Sequence, residues 1–406
     1  MLHRSKTFHG LNVDGGNMQK TFGHVLTVHK GLGPGFDFLR IALAFSIVLA
    51  HSFLLTGNDA FFRSSPLWFA EYALVPMFFA LSGFLIAGSA QRLSLKNFLL
   101  NRGLRIVPAL AVDIVVCALI IGPLVTTVAL RDYFLGVDFY KYFLNIIGWI
   151  HYSLPGVFEG NPTHRVNGAL WTVPWEIFCY IIMSALMITS IIKSWQKLAL
   201  LTGGFILSGL VVQSFGQLLP YRVDLVLSTL FVSRGAQLVF AFLLGILAYQ
   251  LRDFIPYKNS LFLASVAVSI LAMLFLSSSS IESVPNRLLV IPALVYITIF
   301  VGLTPVPLPS FFHKGDYSYG VYLYHDPFLQ ILISLAPGLF LIPKTGAIAL
   351  YAIGICAAMG IAVFSWHVIE KPILGMRKKF SFVAKARGVD ENADIRILPV
   401  EKPVKA

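Results

Sequence analysis

Ten apolar runs, each long enough to cross a lipid bilayer, dominate this sequence. A helix needs about 20 largely apolar residues to cross the ~30 Å hydrocarbon core. Inside that core only helices and closed barrels satisfy their own backbone hydrogen bonds. We therefore predict an all-α integral membrane protein, a bundle of about ten transmembrane helices. The predicted spans are residues 36–55, 69–88, 106–129, 168–192, 198–219, 235–251, 260–277, 288–304, 318–336 and 346–369.

The composition excludes a soluble protein. Apolar residues make up 57% of the 406 residues and charged residues only 12%, about half the charge of a typical soluble protein. The net charge of +12 does not indicate a nucleic-acid partner, because most of the excess lies between apolar runs and in the C-terminal tail. The partner that this composition requires is a lipid bilayer.

The distribution of lysine and arginine predicts the orientation. With the N-terminus in the cytoplasm, 22 of the 31 Lys and Arg residues face the cytoplasm, eight face outward, and Arg40 lies within the first span. Cytoplasmic loops typically carry such an excess. We predict a polar cytoplasmic segment at 1–35, a transmembrane domain at 36–372 and a basic cytoplasmic tail at 373–406, disordered from about residue 380. With no signal peptide ahead of it, the first span is expected to act as its own insertion signal.

Two ionisable residues lie on one face of the first span. Arg40 and His51 are eleven residues apart, almost three whole turns, so their side chains project from the same face about 16 Å apart. Asp37, one turn before Arg40, can pair with it. An ionisable group inside a span costs about 2.5–3.5 kcal/mol, which makes each a candidate functional residue. Snorkelling of Arg40 and a hydrogen bond from His51 to another helix are the alternatives without a function.

Glu176 is predicted to lie at a depth similar to that of His51. It follows the outer start of the fourth span by about 9–12 Å, and His51 lies roughly 6 Å from the outer end of its own span. A carboxylate bonded to one imidazole nitrogen fixes the tautomer and makes the other nitrogen a better base. We therefore predict that Glu176 orients His51; a purely structural Glu–His pair is the alternative.

Further polar residues lie on the side predicted to be cytoplasmic. Arg102 and Arg105, one turn apart, have the spacing of a phosphate grip, although positive-inside anchors would look the same. Ser82 and Gly83 permit close approach of a neighbouring helix or of a ligand.

A polar stripe marks the ninth span. Ser318, Tyr322 and His325 recur at helical spacing, and such a stripe faces protein or a water-filled cavity. The three cysteines offer neither a disulfide framework nor metal-ligand spacing, so no metal is expected.

Six segments in this order resemble the type-3 membrane acyltransferase family, and the resemblance covers about residues 36–372. Phe38 stands where the family usually has glycine, and Thr172 where it usually has serine. The matching segments are Asp37-x-Leu39-Arg40 with His51, Phe78-Phe79-x-Leu81-Ser82-Gly83-Phe84, Arg102-x-x-Arg105-Ile106-x-Pro108, Leu170-Trp171-Thr172-x-x-x-Glu176, Asp316-x-Ser318-Tyr319-Gly320-x-Tyr322-Leu323-x-His325, and Glu370-Lys371-Pro372.

The resemblance implies a ten-helix O-acyltransferase of the bacterial cytoplasmic (inner) membrane. Its co-substrate would be acyl-CoA, with acetyl-CoA favoured, and its acceptor a hydroxyl of a sugar, exopolysaccharide, lipopolysaccharide or glycolipid. His51 would be catalytic, as a general base or a transient acyl carrier, with Glu176 in support. The residues assigned to acyl-CoA are Arg40, Arg102 and Arg105 for the phosphates, and Ser82, Gly83, Tyr322 and His325.

A transporter or flippase for an anionic or lipid-linked substrate is the alternative function. It explains the cytoplasmic arginines and treats the intramembrane Glu and His as a relay, but no internal repeat supports it. If the protein is a transferase, the loops 131–167 and 220–234 are expected to present the acceptor. Aromatic residues of the first loop would then stack on sugar rings or form an interfacial belt.

Overall fold

The computed structural model describes residues 20–376. The N-terminal residues 1–19 and the predicted tail from residue 377 lie outside the described residues. From residue 20 to residue 376 the chain forms helices joined by loops, with no β-strand. The predicted all-α class is confirmed.

Ten longer helical segments carry the fold between residues 20 and 376. We number them α1 (Phe36–Leu55), α2 (Trp68–Ala90), α3 (Leu95–Val125), α4 (Gly168–Ile188), α5 (Trp195–Leu218), α6 (Arg234–Gln250), α7 (Asn259–Phe275), α8 (Val284–Leu303), α9 (Ser318–Leu335) and α10 (Thr345–Gly375). The shorter helices are Phe22–Val28, Asp59–Ser64, Leu130–Leu135, Val137–Tyr142, Phe143–Ile147, Ile191–Lys193, Tyr221–Phe231, Ser280–Glu282, Ser310–Lys314 and Pro337–Phe340.

Seven of these helices are long and apolar enough to cross a membrane: α1 to α5, α8 and α10. Tyr221–Phe231 and α6, bent by 40° at their junction, make an eighth if they are counted as one span. Helix α7 is apolar but only 17 residues long, and α9 is long enough but more polar. A multi-pass membrane protein is therefore confirmed, whereas the count of ten spans and the side of each terminus stay predictions.

The third span begins eleven residues earlier than the sequence predicted. Ser94 caps helix α3 by accepting a hydrogen bond from the backbone N–H of Asn97. The helix then continues through Arg102 and Arg105, which lie just ahead of the predicted start of the span at residue 106. Both arginines therefore project from a helix that runs into the bundle.

Helices α2 and α6 approach each other closely at two glycines. A Cβ on Gly83 would lie 2.2 Å from the carbonyl oxygen of Phe242, and one on Gly245 would lie 2.2 Å from that of Ala80. Small residues at such crossings are typical of membrane bundles, because they let the backbones touch. Of the two uses that the sequence allowed for Gly83, the structure shows helix packing.

Candidate functional site

Helices α1 and α9 run side by side in the same direction. Arg40 contacts Asp316 just before α9, with 3.3 Å between Arg40 Nη1 and Asp316 Oδ2. Eleven residues further along α1, His51 Nδ1 lies 2.7 Å from Asp326 Oδ1. The predicted common face of Arg40 and His51 is confirmed, since both side chains meet the same neighbouring segment.

His325 fixes the tautomer of His51. His325 Nδ1 lies 2.7 Å from the carbonyl oxygen of Tyr322 and 3.1 Å from that of Val321. Carbonyls only accept, so this nitrogen carries the hydrogen and the Nε2 of a neutral His325 is an acceptor. That Nε2 lies 3.0 Å from His51 Nδ1. His51 Nδ1 therefore faces two acceptors, His325 and Asp326, and donates its hydrogen to them. The lone pair of His51 is then on Nε2.

The carboxylate of Asp326 is held by the start of α4. Asp326 is 1% exposed, and its Oδ2 accepts hydrogen bonds from the backbone N–H groups of Gly168 at 2.7 Å and Ala169 at 3.1 Å. The first N–H groups of a helix have no partner within the helix, so a carboxylate there is well satisfied. Asp326 thus has one oxygen committed to two N–H donors and the other to His51.

A buried network fixes that helix start in turn. Asn167 is fully buried; its Nδ2 donates to Asp113 Oδ2 and to the carbonyl oxygen of Leu323, both at 2.9 Å. Its Oδ1 accepts from the N–H of Ala169 at 3.1 Å. The donors that hold Asp326 are therefore themselves anchored to α3 and α9.

The predicted contact between Glu176 and His51 is wrong. Glu176 accepts a hydrogen bond from the Tyr180 hydroxyl at 2.6 Å, and its carboxylate lies among the charges of Arg102 and Arg105. The sequence analysis placed the start of α4 at the outer surface. In the structure that start is already buried, so Gly168 and not Glu176 lies beside the carboxylate that holds His51.

Asp326 is the functional candidate that the sequence analysis missed. It directly follows His325, the last residue of the recognised polar stripe. An aspartate inside a span is costly and was itself a sufficient signal. The sequence prediction instead assigned Glu176 as the carboxylate partner of His51.

Asp316 joins two of the predicted arginines. Arg105 Nη2 lies 2.5 Å from its Oδ2, and Arg40 Nη1 approaches the same oxygen. Burial acts to raise the pKa of Asp316, but the positive charges of Arg105 and Arg40 outweigh it and lower the pKa to about 2. Arg105 also lies 3.7 Å from Glu370, and Arg40 lies 3.8 Å from Asp37. Both guanidinium groups are therefore neutralised by carboxylates of the protein.

A cavity of about 180 Å³, the arginine cavity, adjoins this cluster. Arg102 differs from the other two arginines that line it. Its Nε is buried without a partner, and between residues 20 and 376 we find no ion pair or hydrogen bond for its side chain. Gly83 does not line the cavity, because it faces α6. The lining includes Arg40, Ser82, Arg102, Arg105, Glu176, Tyr180, Asp316, Ser318, Tyr319 and Tyr322.

Tyr322 lines the arginine cavity about one helical turn before His325, which does not line it. The Tyr322 hydroxyl lies 2.8 Å from Thr172 Oγ1 and donates to the carbonyl oxygen of Ala169 at 3.1 Å. The ring of Phe78 meets the Tyr322 ring edge-on at 6.2 Å. His51 does not line the arginine cavity either, and its side chain keeps 21% of its surface exposed.

The side chains of His51, His325 and Asp326 have the spacing of a possible metal site. The ligand atoms of His51, His325 and Asp326 lie within 4.8 Å of one another. The hydrogen bonds described above account for these contacts without an ion. The expectation that the chemistry needs no metal stays a prediction.

Comparisons with known proteins identify the family. A family model described as "Acyltransferase domain" matches residues 34–367. The chain is similar to a protein of Shigella phage Sf6 named "O-acetyl transferase", with 25% identity over 84% of this chain and 95% of that protein. It is also similar to "Nodulation protein 10" of Rhizobium leguminosarum bv. viciae, with 24% identity over 89% and 98% of the two chains. No solved structure matches. The chain is thus a multi-pass membrane enzyme that belongs to the type-3 acyltransferase family, as its six sequence segments indicated.

Proposed function

We propose that this protein transfers an acetyl group from acetyl-CoA to a hydroxyl of a carbohydrate or glycolipid, in the bacterial inner membrane. Its family and the name of the phage relative support acyl transfer. The observation that carries the proposal is the His51–Asp326 pair. A carboxylate bonded to Nδ1 leaves Nε2 as a base and stabilises the imidazolium that forms when Nε2 takes a proton.

In the direct route, His51 is a general base. Nε2 removes the proton of the acceptor hydroxyl while the hydroxyl oxygen attacks the thioester carbonyl carbon. The C–S bond then breaks, and the CoA sulfur leaves with the proton from Nε2. In the covalent route, Nε2 itself attacks the thioester carbonyl carbon, and the C–S bond breaks to release CoA as a thiolate. The hydroxyl oxygen then attacks the acyl-imidazole, the bond from Nε2 to the acyl carbon breaks, and the thiolate takes up the hydroxyl proton. In both routes Asp326 bears the compensating negative charge.

The donor would enter through the arginine cavity. A cavity of about 180 Å³ is smaller than a typical pocket for a whole ligand, so it suits the thin pantetheine arm and not the nucleotide. Arg102 offers the uncommitted positive charge for a CoA phosphate, whereas Arg40 and Arg105 hold Asp316. The thioester reaches His51 past Tyr322, and Ser82 and Glu176 line the cavity along this path.

We expect Arg102→Ala to raise the KM for acetyl-CoA about 10- to 100-fold with little change in kcat, because a charge-assisted hydrogen bond is worth about 1.5–3 kcal/mol. Steady-state kinetics with varied acetyl-CoA measures this. Arg105→Ala is the contrasting variant: it leaves Asp316 and Glu370 without their shared partner and is expected to lower the melting temperature. An unchanged KM for Arg102→Ala contradicts the assignment.

We expect Glu176→Gln to lose less than about tenfold in kcat. Glu176 touches Tyr180 and not His51, and a glutamine oxygen still accepts a hydrogen bond from a tyrosine or from a pantetheine amide. Turnover of acetyl-CoA in the presence of acceptor measures the effect. A loss of kcat as large as that of a His51 variant contradicts this expectation. It would show that Glu176 supports His51 directly.

The function itself is tested with purified protein in nanodiscs, acetyl-labelled CoA and a panel of neutral saccharides. We expect label to appear on a saccharide as an ester that mild alkali removes, and no label with the His51→Ala variant. Label on the protein before acceptor is added indicates the covalent route. Intact acetyl-CoA under every condition overturns the proposal and leaves the transporter alternative, which no contact in residues 20–376 specifically favours.

A further inference from the structure

A second cavity, of about 600 Å³, lies beside the start of α4; we call it the aromatic cavity. Its lining includes Trp149, Tyr152, Trp171, Pro174 and Trp175, with the remainder from residues 147–150. Three of the six tryptophans in the sequence thus line one cavity. It is wide open to the protein surface, its volume lies in the range of small-molecule clefts, and none of its lining residues is charged.

The loop that carries Trp149 is fixed before any ligand arrives. Asn145 is fully buried, and its Nδ2 donates to the carbonyl oxygens of Tyr142 at 2.8 Å and His151 at 2.9 Å. Its Oδ1 accepts from the N–H of His151 at 2.8 Å. Gly148 has a φ of 83°, which favours glycine, and a Cβ there would lie 2.8 Å from Ile177 of α4. The loop is therefore held against α4.

The tryptophans of α4 are fixed by the start of α6. The guanidinium of Arg234 lies over the Trp171 ring, 5.3 Å from its centroid, and donates to Glu71 Oε1 at 2.9 Å. The Trp175 ring lies so close to Gly235 that no Cβ fits there. Rings that are immobile in the free protein lose little conformational entropy when a ligand stacks on them.

The first turn of α4 separates the aromatic cavity from the arginine cavity. Trp171 lines the former and Thr172 the latter. The same turn begins with Gly168, whose N–H holds Asp326. The two cavities therefore border the same turn of α4, and that turn also holds Asp326, the carboxylate partner of His51.

We propose that the aromatic cavity is the acceptor subsite and that it binds a neutral pyranose ring, stacked on Trp149 and Trp171. This inference rests on the proposed function, which requires a hydroxyl compound near His51 opposite the donor. An aromatic face suits the C–H face of a sugar ring, with the sugar hydroxyls left at the edge of the cavity. None of the lining side chains carries a charge that would favour an acidic sugar, so we take a neutral pyranose as the occupant.

Binding is measured first, without acetyl-CoA. The full chain in nanodiscs is titrated with the methyl pyranosides of glucose, galactose, mannose, rhamnose and N-acetylglucosamine, and with methyl glucuronide, by ligand-observed NMR. At least one neutral pyranoside is expected to bind, and more tightly than the glucuronide. Trp149→Ala is expected to raise its Kd at least about tenfold, as loss of a central aromatic contact does, while Trp149→Phe stays within about threefold.

The matched control is Trp195→Ala, on the first turn of α5. Both tryptophans are exposed, Trp149 by 68% and Trp195 by 44%, but Trp195 does not line the cavity. The control is expected to leave the Kd unchanged. In turnover assays Trp149→Ala is expected to raise the KM for the saccharide and not that for acetyl-CoA.

Three results overturn the inference: no neutral pyranoside binds, Trp149→Ala and Trp195→Ala behave alike, or the glucuronide binds most tightly. The first two make these aromatics an interfacial belt. Saccharide binding that depends on Trp149, without any consumption of acetyl-CoA, refutes the proposed transferase chemistry and leaves the subsite standing. Transfer that is insensitive to Trp149 refutes the subsite alone.

Discussion

Replacing His51 by alanine is expected to lower kcat by at least about 10³-fold, because either route needs Nε2 of this imidazole to take a proton or the acyl group. His51→Gln is the second variant. A glutamine amide still donates to Asp326, so the buried carboxylate keeps its partner, but it cannot act as a base. Release of free CoA with a saturating saccharide acceptor measures turnover.

The control for this prediction is His164→Ala. His164 lies exposed in the loop before α4, and its removal is expected to leave turnover unchanged. Melting temperatures of all three variants separate a chemical defect from a folding defect. An active and folded His51→Gln protein contradicts the mechanism.

Local periodicity was sufficient to predict the first helix and its face. The predicted span 36–55 agrees with α1, and Arg40 and His51 do share a face, because both follow from 3.6 residues per turn. The sequence left two uses of Gly83 open, since a glycine that admits a ligand and one that admits a helix look alike in sequence. The contact with Phe242 decided between them.

Long-range contacts were what the sequence could not supply. The depth of Glu176 depends on how the preceding loop buries Asn167, which no local pattern encodes. Asp316 meets Arg105 across 211 residues of chain, so the sequence could not show that Arg105 is already neutralised and Arg102 is not. Sequence spacing alone shows which arginines could bind a phosphate. It does not show which of them are already paired with a carboxylate of the protein.

Asp326→Asn is expected to lower kcat by about 10³- to 10⁴-fold with a small effect on the KM for acetyl-CoA. The N–H groups of Gly168 and Ala169 require an acceptor, so the asparagine turns its oxygen toward them. Its NH₂ then faces His51 Nδ1 as a donor, so the acceptor Nε2 of His325 is the only partner left for the hydrogen on Nδ1. The tautomer with its hydrogen on Nε2 becomes more favourable, and the imidazolium loses its counter-charge. Both changes weaken Nε2 as a base; an asparagine beside a catalytic histidine lowers turnover when it favours the wrong tautomer.

Asp113→Asn is the matched control for this substitution. Asp113 is also a buried aspartate, 2% exposed, but it contacts Asn167 and Cys117 and not His51. We expect it to lose less than about tenfold in kcat, since it acts on the site only through the start of α4. Steady-state kinetics and melting temperatures of the two variants make the comparison. Equal losses would show that replacement of any buried aspartate near α4 impairs the enzyme. A loss specific to Asp326 instead assigns the effect to the tautomer and the counter-charge of His51, because only that substitution exchanges the carboxylate at Nδ1 for an amide donor.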